Sequence, residues 1–209
     1  TRSDPGLEQA TGAARQTAQL YRQLAPFRSK DGESKGFGSP VSYPGGDDPF
    51  PRRLAGLAAM LAAGLPLRCV ALSAPGAYDT HDDQPRELAE GLKLTADSLL
   101  AFQRDLEARG LADRVLVNVW SEFGRRAEEN ASNGTDHGAA GAGFLIGSSA
   151  AGTMIGEFPG LGTLDADGNL RATADFRGLY ASLIEDWLGG DAEAVLPQLS
   201  GVARPTVLR

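Results

Sequence analysis

The stretches LRCVALSA at residues 67–74 and RVLVNVWS at residues 114–121 decide the fold. Each is a short, nearly continuous apolar run, which is typical of a strand buried on both faces of a parallel sheet. A third run, GFLIG at residues 143–147, predicts another strand, and residues 152–156 are a candidate for a fourth. The sequence therefore predicts several buried strands that lie far apart along the chain.

Amphipathic helices are predicted between and around these strands. Apolar residues recur every three to four positions over four segments, residues 5–26, 50–64, 85–109 and 174–188. The alternation of helices and strands favours an α/β fold with a mainly parallel sheet and helices on both faces. The chain, residues 1–209, is expected to be a single α/β domain with a long Gly-, Ser- and Pro-rich loop at residues 28–48.

The composition argues against several classes of function. Lysine and arginine total 20 against 27 aspartates and glutamates, for a net charge of −7, so no nucleic-acid partner is expected. No apolar run approaches the roughly 20 residues that cross a bilayer, so no membrane span is expected. The single cysteine, Cys69, is predicted to be a buried core residue. The oligomeric state is left undetermined.

Polar loops that border the predicted strands contain both histidines of the chain. In open α/β sheets, ligands collect beyond the carboxyl ends of the strands. His81 lies two residues after Asp79, and His137 directly follows Asp136. Imidazole nitrogen combined with carboxylate oxygen suits Zn²⁺, Mn²⁺ or Fe²⁺. The loops therefore predict one divalent metal site.

The contribution of each residue to this site has alternatives. Asp79 and His81 face the same way if their segment is extended. Asp136 and His137 diverge on a strand, whereas a turn after Gly134 could bring both to the site. Alternatively, His137 binds the metal while Asp136 orients it. In a purely structural interpretation, both Asp/His pairs are hydrogen-bonded turns.

Two charged residues follow the second predicted strand. Glu122 is either a group of the metal site or the partner of Arg125 or Arg126 in a salt bridge. Arg125 is either an exposed loop arginine or a side chain that steers an anionic substrate.

Three blocks of sequence carry a family resemblance: LSAPGAYDTHDDQ (72–84), VWSEFGRRAEENASNGTDHG (119–138) and TADFRGLYASLIEDWLG (173–189). Together they resemble an uncharacterised bacterial family of twin-arginine-exported, sulfatase-like proteins that carry a domain of unknown function. That family is placed in the alkaline phosphatase superfamily. The resemblance implies that this chain is the C-terminal portion of a larger alkaline phosphatase-like domain, in a periplasmic or extracellular protein.

The resemblance also implies a set of metal ligands. Asp79 and His81 match the first ligand pair of the superfamily, and His137 matches its final histidine. Glu122 and Phe123 occupy the place of the middle Asp-His pair, which implies one metal site rather than two. Asp136 and Glu122 are then extra ligands or orienting groups, and the catalytic nucleophile stays unknown.

The function implied by the resemblance is a metal-dependent hydrolase acting on phosphate or sulfate esters. Arg125 is expected to contact the anionic group of a small ester substrate. The alternative is a non-catalytic exported binding or assembly protein that keeps a degenerate metal site. Phe123, at a position where a ligand is expected, motivates this alternative.

Overall fold

The structure is a computed structural model of the 209-residue chain and describes residues 5–25 and 38–209. Four α-helices lie in these residues: α1 (Pro5–Leu24), α2 (Phe50–Ala62), α3 (Gln84–Ala108) and α4 (Phe176–Ser182). A 3₁₀-helix covers Ala112–Arg114, and a π-helix, Leu183–Trp187, continues α4. All four predicted helices are confirmed. Among the described residues, no helix combines the length and apolar character that crossing a membrane requires.

Local sequence signals explain where two of these helices begin and end. The Asp48 carboxylate accepts a hydrogen bond from the Phe50 backbone at the start of α2, at 2.8 Å. Beyond the end of α2, Gly64 adopts a left-handed conformation (φ 74°), which glycine tolerates without strain. Asp175 caps α4, because its side chain accepts a hydrogen bond from the Arg177 backbone at 2.9 Å.

The strands form two small antiparallel sheets. β1 (Val117–Val119) pairs with β4 (Phe144–Ile146), and β2 (Gly124–Glu129) pairs with β3 (Thr135–Gly138). In the second pair, Arg125 lies opposite His137, and a register irregularity separates this pair from the pairing at Glu129.

The prediction of a mainly parallel sheet with an alkaline phosphatase-like core is wrong for the described residues. Parallel neighbours need a crossover connection, usually a helix. The connection between β1 and β4, residues 120–143, instead contains the β2–β3 hairpin. The chain therefore returns beside β1 in the opposite direction, and Val117 lies opposite Ile146.

Two of the predicted strands do not form. Residues 67–74 are irregular, with Val70 49% and Leu72 40% exposed, and Cys69 is exposed rather than part of a core. Residues 152–156 form no strand, although the nearby Ala150 makes a single antiparallel bridge. The predicted loop is confirmed as irregular over residues 38–48, and its first part, residues 28–37, lies outside the described residues.

The chain divides into two compact units. The first comprises Thr1–Pro75 and Leu92–Leu111, and the second comprises Gly76–Gly91 and Ala112–Arg209. Buried apolar residues of the first unit include Phe50, Leu54, Ala58, Phe102 and Leu106. In the second unit, Ile184, Leu196 and Val202 pack against a core of Ala181, Ala192 and Leu199.

A buried carboxylate organises the first unit. Asp105, on α3, is 0% exposed and accepts hydrogen bonds from Ser39 at 2.9 Å and Tyr43 at 3.0 Å. Arg109, one helical turn later, pairs with it at 2.6 Å and also donates to the Gly38 carbonyl at 2.8 Å. Burial and the Asp105 charge raise the pKa of the Tyr43 hydroxyl, so that it remains a donor to the carboxylate. This network fixes the segment that begins at residue 38 against α3.

Candidate metal centre

A hairpin and a loop of the second unit build the candidate site. The turn between β2 and β3 is closed by the Asn130 backbone, which donates to the Gly134 carbonyl at 2.9 Å. Asn133 occupies the left-handed region (φ 57°), which asparagine tolerates better than most residues. This tight turn holds β3, and with it Asp136 and His137, in a fixed position relative to β2.

The tip of this hairpin is hydrogen-bonded to the loop that precedes α3. The Asp83 backbone donates to the Ser132 carbonyl at 3.1 Å, and the Gln84 backbone donates to the Asn133 carbonyl at 3.0 Å. The Gln84 side chain adds a hydrogen bond to the Thr135 hydroxyl at 2.9 Å. These contacts bring the loop that contains Asp79 and His81 against the strand that contains His137.

Three side chains converge where the loop and the hairpin meet. Asp79 Oδ1 lies 2.7 Å from His137 Nε2 and 3.1 Å from His81 Nε2. One ligand atom from each residue lies within 4.8 Å of the other two, and the two imidazole centroids are 4.9 Å apart. We call Asp79, His81 and His137 the ligand triad.

The charge state of the triad carboxylate suits a cation. The hydrogen bond from His137 lowers the pKa of Asp79 below its usual range, and the charges of His81 and Arg125 act in the same direction. Side-chain exposure is 61% for Asp79, 46% for His81 and 47% for His137, so solvent reaches all three. The triad therefore combines an ionised carboxylate with two imidazoles on an accessible surface.

Asp136 contacts one member of the triad, His81, but is not itself part of the triad. Its Oδ1 lies 3.4 Å from Nδ1 of His81, the ring nitrogen that faces away from Asp79. A hydrogen bond from Asn130 and the contact with His81 lower the pKa of Asp136. A carboxylate on one imidazole nitrogen fixes the tautomer that leaves the other nitrogen free for a metal. Asp136 is thus placed to orient His81, and not the adjacent His137.

Arg125 braces the site from the opposing strand. Its side chain is 20% exposed, and its terminal nitrogens donate to the carbonyls of Thr135 at 2.5 Å and Tyr78 at 2.6 Å. The same guanidinium lies 3.4 Å from Asp79 Oδ1. Arg125 therefore ties the Asp79 segment to β3, while its contact with a substrate stays a prediction.

Phe123 covers one face of the triad. Its ring stacks on His137 with centroids 4.0 Å apart and an interplanar angle of 11°. The Arg125 guanidinium carbon lies 4.9 Å from the same ring centroid. Glu122, the residue before it, is exposed and is not among the grouped ligand atoms of the described residues. Its role as an extra ligand stays a prediction.

The donor set and spacing fit a transition-metal ion. Four ligands at about 2.1 Å around a tetrahedral ion are separated from one another by about 3.4 Å. The two nitrogen-to-oxygen distances at Asp79, 2.7 and 3.1 Å, are shorter than this value by about 0.7 and 0.3 Å. Binding one ion would therefore require the two imidazoles to move away from Asp79 by less than about 1 Å.

Thr80, between two triad residues, offers a test of how the loop is packed. It is 2% exposed, and its hydroxyl has no hydrogen-bond partner within the described residues. A buried polar atom without a partner costs about 1–3 kcal/mol. We expect Thr80→Val to raise the free energy of unfolding by about 1 kcal/mol, measured by urea denaturation. Metal affinity should stay unchanged, and a loss of stability would mean that the hydroxyl has a partner after all.

Comparison with known proteins identifies the family. The chain matches the profile of a family described as "Protein of unknown function (DUF1501)" over residues 9–184. Neither the curated proteins nor the solved structures give a significant match. The matched segment includes the whole triad, the hairpin and the loop that holds it. Because it spans most of the 209 residues, the chain belongs to the DUF1501 family.

Proposed function

We propose that this protein binds one divalent metal ion through Asp79, His81 and His137 and uses it to hydrolyse phosphate or sulfate esters. The observation that carries the proposal is the ligand triad itself. Three potential ligand atoms, two from one loop and one from the strand β3, lie within 4.8 Å of one another on an accessible surface.

The chemistry of the donors favours Zn²⁺, with Mn²⁺ and Fe²⁺ as the other candidates. Two imidazole nitrogens select against Mg²⁺ and Ca²⁺, which prefer oxygen ligands. Three protein ligands also leave coordination positions open, as in catalytic rather than structural zinc sites. One such triad supports a centre with a single ion.

Several groups around the triad support hydrolysis of an anionic ester. An ion bound there supplies Lewis-acid activation of an ester oxygen. Asp136 holds the ring of His81, and Arg125 keeps a positive charge 3.4 Å from Asp79. That charge attracts an anionic substrate to the exposed side of the triad.

The substrate class and the location of the protein rest on the family resemblance. The sequence blocks around the triad resemble sulfatase-like proteins of the alkaline phosphatase superfamily that are exported through the twin-arginine route. On this basis we propose a small phosphate or sulfate ester as substrate, and a periplasmic or extracellular location.

A second candidate function is metal-dependent binding without catalysis. Phe123 favours it, because its ring lies flat against His137 at 4.0 Å, where the resemblance places a ligand of a second ion. A phosphoryl clamp with two ions needs both sites. A single ion beside an apolar ring can hold an anionic partner without cleaving it.

Zinc binding by the whole chain tests the metal site, with two aspartates of the same loop as a matched pair. We expect Asp79→Asn to weaken zinc binding more than about 100-fold, because losing a ligand exceeds the 10–100-fold effect of losing an outer partner. Asp82→Asn, which changes another exposed aspartate of the loop, should stay within about twofold of the wild type. Isothermal titration with zinc gives both affinities. Equal affinities for the two variants contradict the triad.

Hydrolysis separates the two candidate functions. Zinc-loaded protein is assayed with para-nitrophenyl phosphate and para-nitrophenyl sulfate, next to the His137→Ala variant. Turnover by the wild type that disappears in the variant supports an ester hydrolase. Stoichiometric zinc binding with no turnover of either ester supports the binding protein.

A further inference from the structure

Asn130, in the hairpin turn, contacts several parts of the site at once and was not among the residues predicted from sequence. Its Oδ1 accepts hydrogen bonds from the backbones of Ser132 at 2.9 Å and Gly134 at 3.1 Å. Its Nδ2 donates to the His81 carbonyl at 2.9 Å and to Asp136 Oδ1 at 3.3 Å. One side-chain amide thus contacts the turn, the ligand loop and the orienting carboxylate.

These partners fix the orientation of the amide. Backbone N–H groups only donate, so the atom facing Ser132 and Gly134 must be the oxygen. A carbonyl and a carboxylate only accept, so the atom facing His81 and Asp136 must be the nitrogen. All four contacts agree with this single orientation, and both hydrogens of the amide nitrogen are used.

The two donated hydrogen bonds act on the same imidazole by different routes. The first holds the backbone of His81, and the second holds Asp136, whose Oδ1 lies 3.4 Å from Nδ1 of the His81 ring. In the metal-free site a carboxylate faces each ring nitrogen, Asp136 at Nδ1 and Asp79 at Nε2. A cation on the Asp79 side removes the preference for a proton on Nε2, so Asp136 then holds the proton on Nδ1. Nε2, 3.1 Å from Asp79, is then free to bind the ion.

We propose that Asn130 is a positioning residue that holds the backbone of His81 and, through Asp136, the ring of His81, so that Nε2 is the metal-binding nitrogen. The proposal rests on the proposed metal centre and deepens it, since it names the group that prepares one ligand before the ion arrives. Asn130 lies outside the triad and does not contact the ion.

Asn130→Asp separates this role from a purely structural one. The aspartate keeps an acceptor for Ser132 and Gly134 but has no hydrogens for His81 and Asp136, and it adds a negative charge beside the Asp136 carboxylate. We expect zinc binding to weaken about 10–100-fold, the range found when an outer partner of a ligand is removed. Asn133→Ala is the control, because it perturbs the same turn at a left-handed position without touching the amide network. Its zinc affinity should stay within about twofold of the wild type.

The ring of His81 is a second readout. Long-range ¹H–¹⁵N correlation spectra, recorded with and without zinc, report the state of each ring nitrogen. With zinc, we expect the proton on Nδ1 in the wild type and in Asn133→Ala, and a mixture of both tautomers in Asn130→Asp. Without zinc, we expect the ring resonances of His81 to shift in Asn130→Asp and not in Asn133→Ala.

The outcomes distinguish this inference from the proposed function. If the wild type binds no zinc but Asn130→Asp alone shifts the ring resonances of His81, the metal centre is wrong and the positioning role stands. If the wild type binds zinc and Asn130→Asp keeps both its affinity and the state of the His81 ring, the positioning role is overturned. Weakened binding with an unchanged His81 ring also overturns it, since the effect then comes from a general disturbance of the turn.

Discussion

Replacing Asp105 by alanine should lower the free energy of unfolding by about 3–5 kcal/mol, the range for breaking a buried charge pair. The side chain is 0% exposed and accepts hydrogen bonds from Ser39, Tyr43 and Arg109. Its removal leaves the Arg109 guanidinium, only 17% exposed, without its closest counter-charge. It also leaves the half-buried hydroxyls of Ser39 and Tyr43 without their acceptor.

A second aspartate on the same helix is the control. Asp97 pairs with Lys93 at 2.6 Å, but both side chains are largely exposed. Exposed pairs contribute less than about 1 kcal/mol, so Asp97→Ala should be nearly neutral. Urea denaturation of the two variants compares a buried and an exposed carboxylate on one helix. Equal effects of the two changes would mean that Asp105 is solvated in solution.

The variant Asp105→Asn measures how much of this loss of unfolding free energy comes from the charge of Asp105. The amide keeps the size of the side chain and can still accept hydrogen bonds from Ser39 and Tyr43, but it no longer balances Arg109. We expect its loss of unfolding free energy to be smaller than that of Asp105→Ala and larger than that of Asp97→Ala. Because Asp105 lies in the first unit, zinc affinity of the folded protein should not change in either variant.

The helices could be predicted from sequence because the signal for a helix is local. In α3, apolar residues recur at the helical period within Gln84–Ala108, and the first turn follows directly on a polar loop. Nothing outside the segment is needed to recognise it. The same holds for α4, where Asp175 provides a cap that is visible in the sequence.

The sheet could not be predicted in the same way, because a strand depends on a partner elsewhere in the chain. The run at residues 67–74 is apolar enough for a buried strand but pairs with no strand among the described residues. β1 pairs with β4, so Val119 is opposite Phe144, 25 residues later. One signal was available, since Asn133-Gly134 is a dipeptide typical of hairpin turns and indicates the β2–β3 hairpin.

The possible metal-binding triad was recognised through an argument about strand ends that does not apply to this fold. His81 and His137 are close together because the hairpin tip is hydrogen-bonded to the loop before α3, as between Asp83 and Ser132. The residue types still indicated the chemistry, since carboxylates beside both histidines suit a metal wherever the loops meet. Asn130 was not recognised, because its role depends on contacts with residues on both sides of the site.

The second large effect is expected for Gly134→Ala, because Gly134 lies where the hairpin contacts the loop. A Cβ on Gly134 would collide with the carbonyl group of His81 and the backbone nitrogen of Asp82. These are main-chain atoms, so no side-chain rotation can relieve the contact. We expect a loss of about 3 kcal/mol in unfolding free energy, at the upper end for overpacking. Zinc affinity should fall at least about tenfold, as when an outer support of a ligand is lost.

Gly141→Ala is the matched control, because a Cβ there meets the Gly124 Cα at 3.4 Å, an ordinary contact. It should stay within about 0.5 kcal/mol of the wild type and keep its zinc affinity. Urea denaturation and zinc titration of both variants then separate two causes. A destabilised Gly134→Ala that still binds zinc fully when folded would mean that the loop positions His81 by itself. Loss of both properties means that the hairpin must contact the loop for the triad to form, since the substitution leaves all three ligands in place.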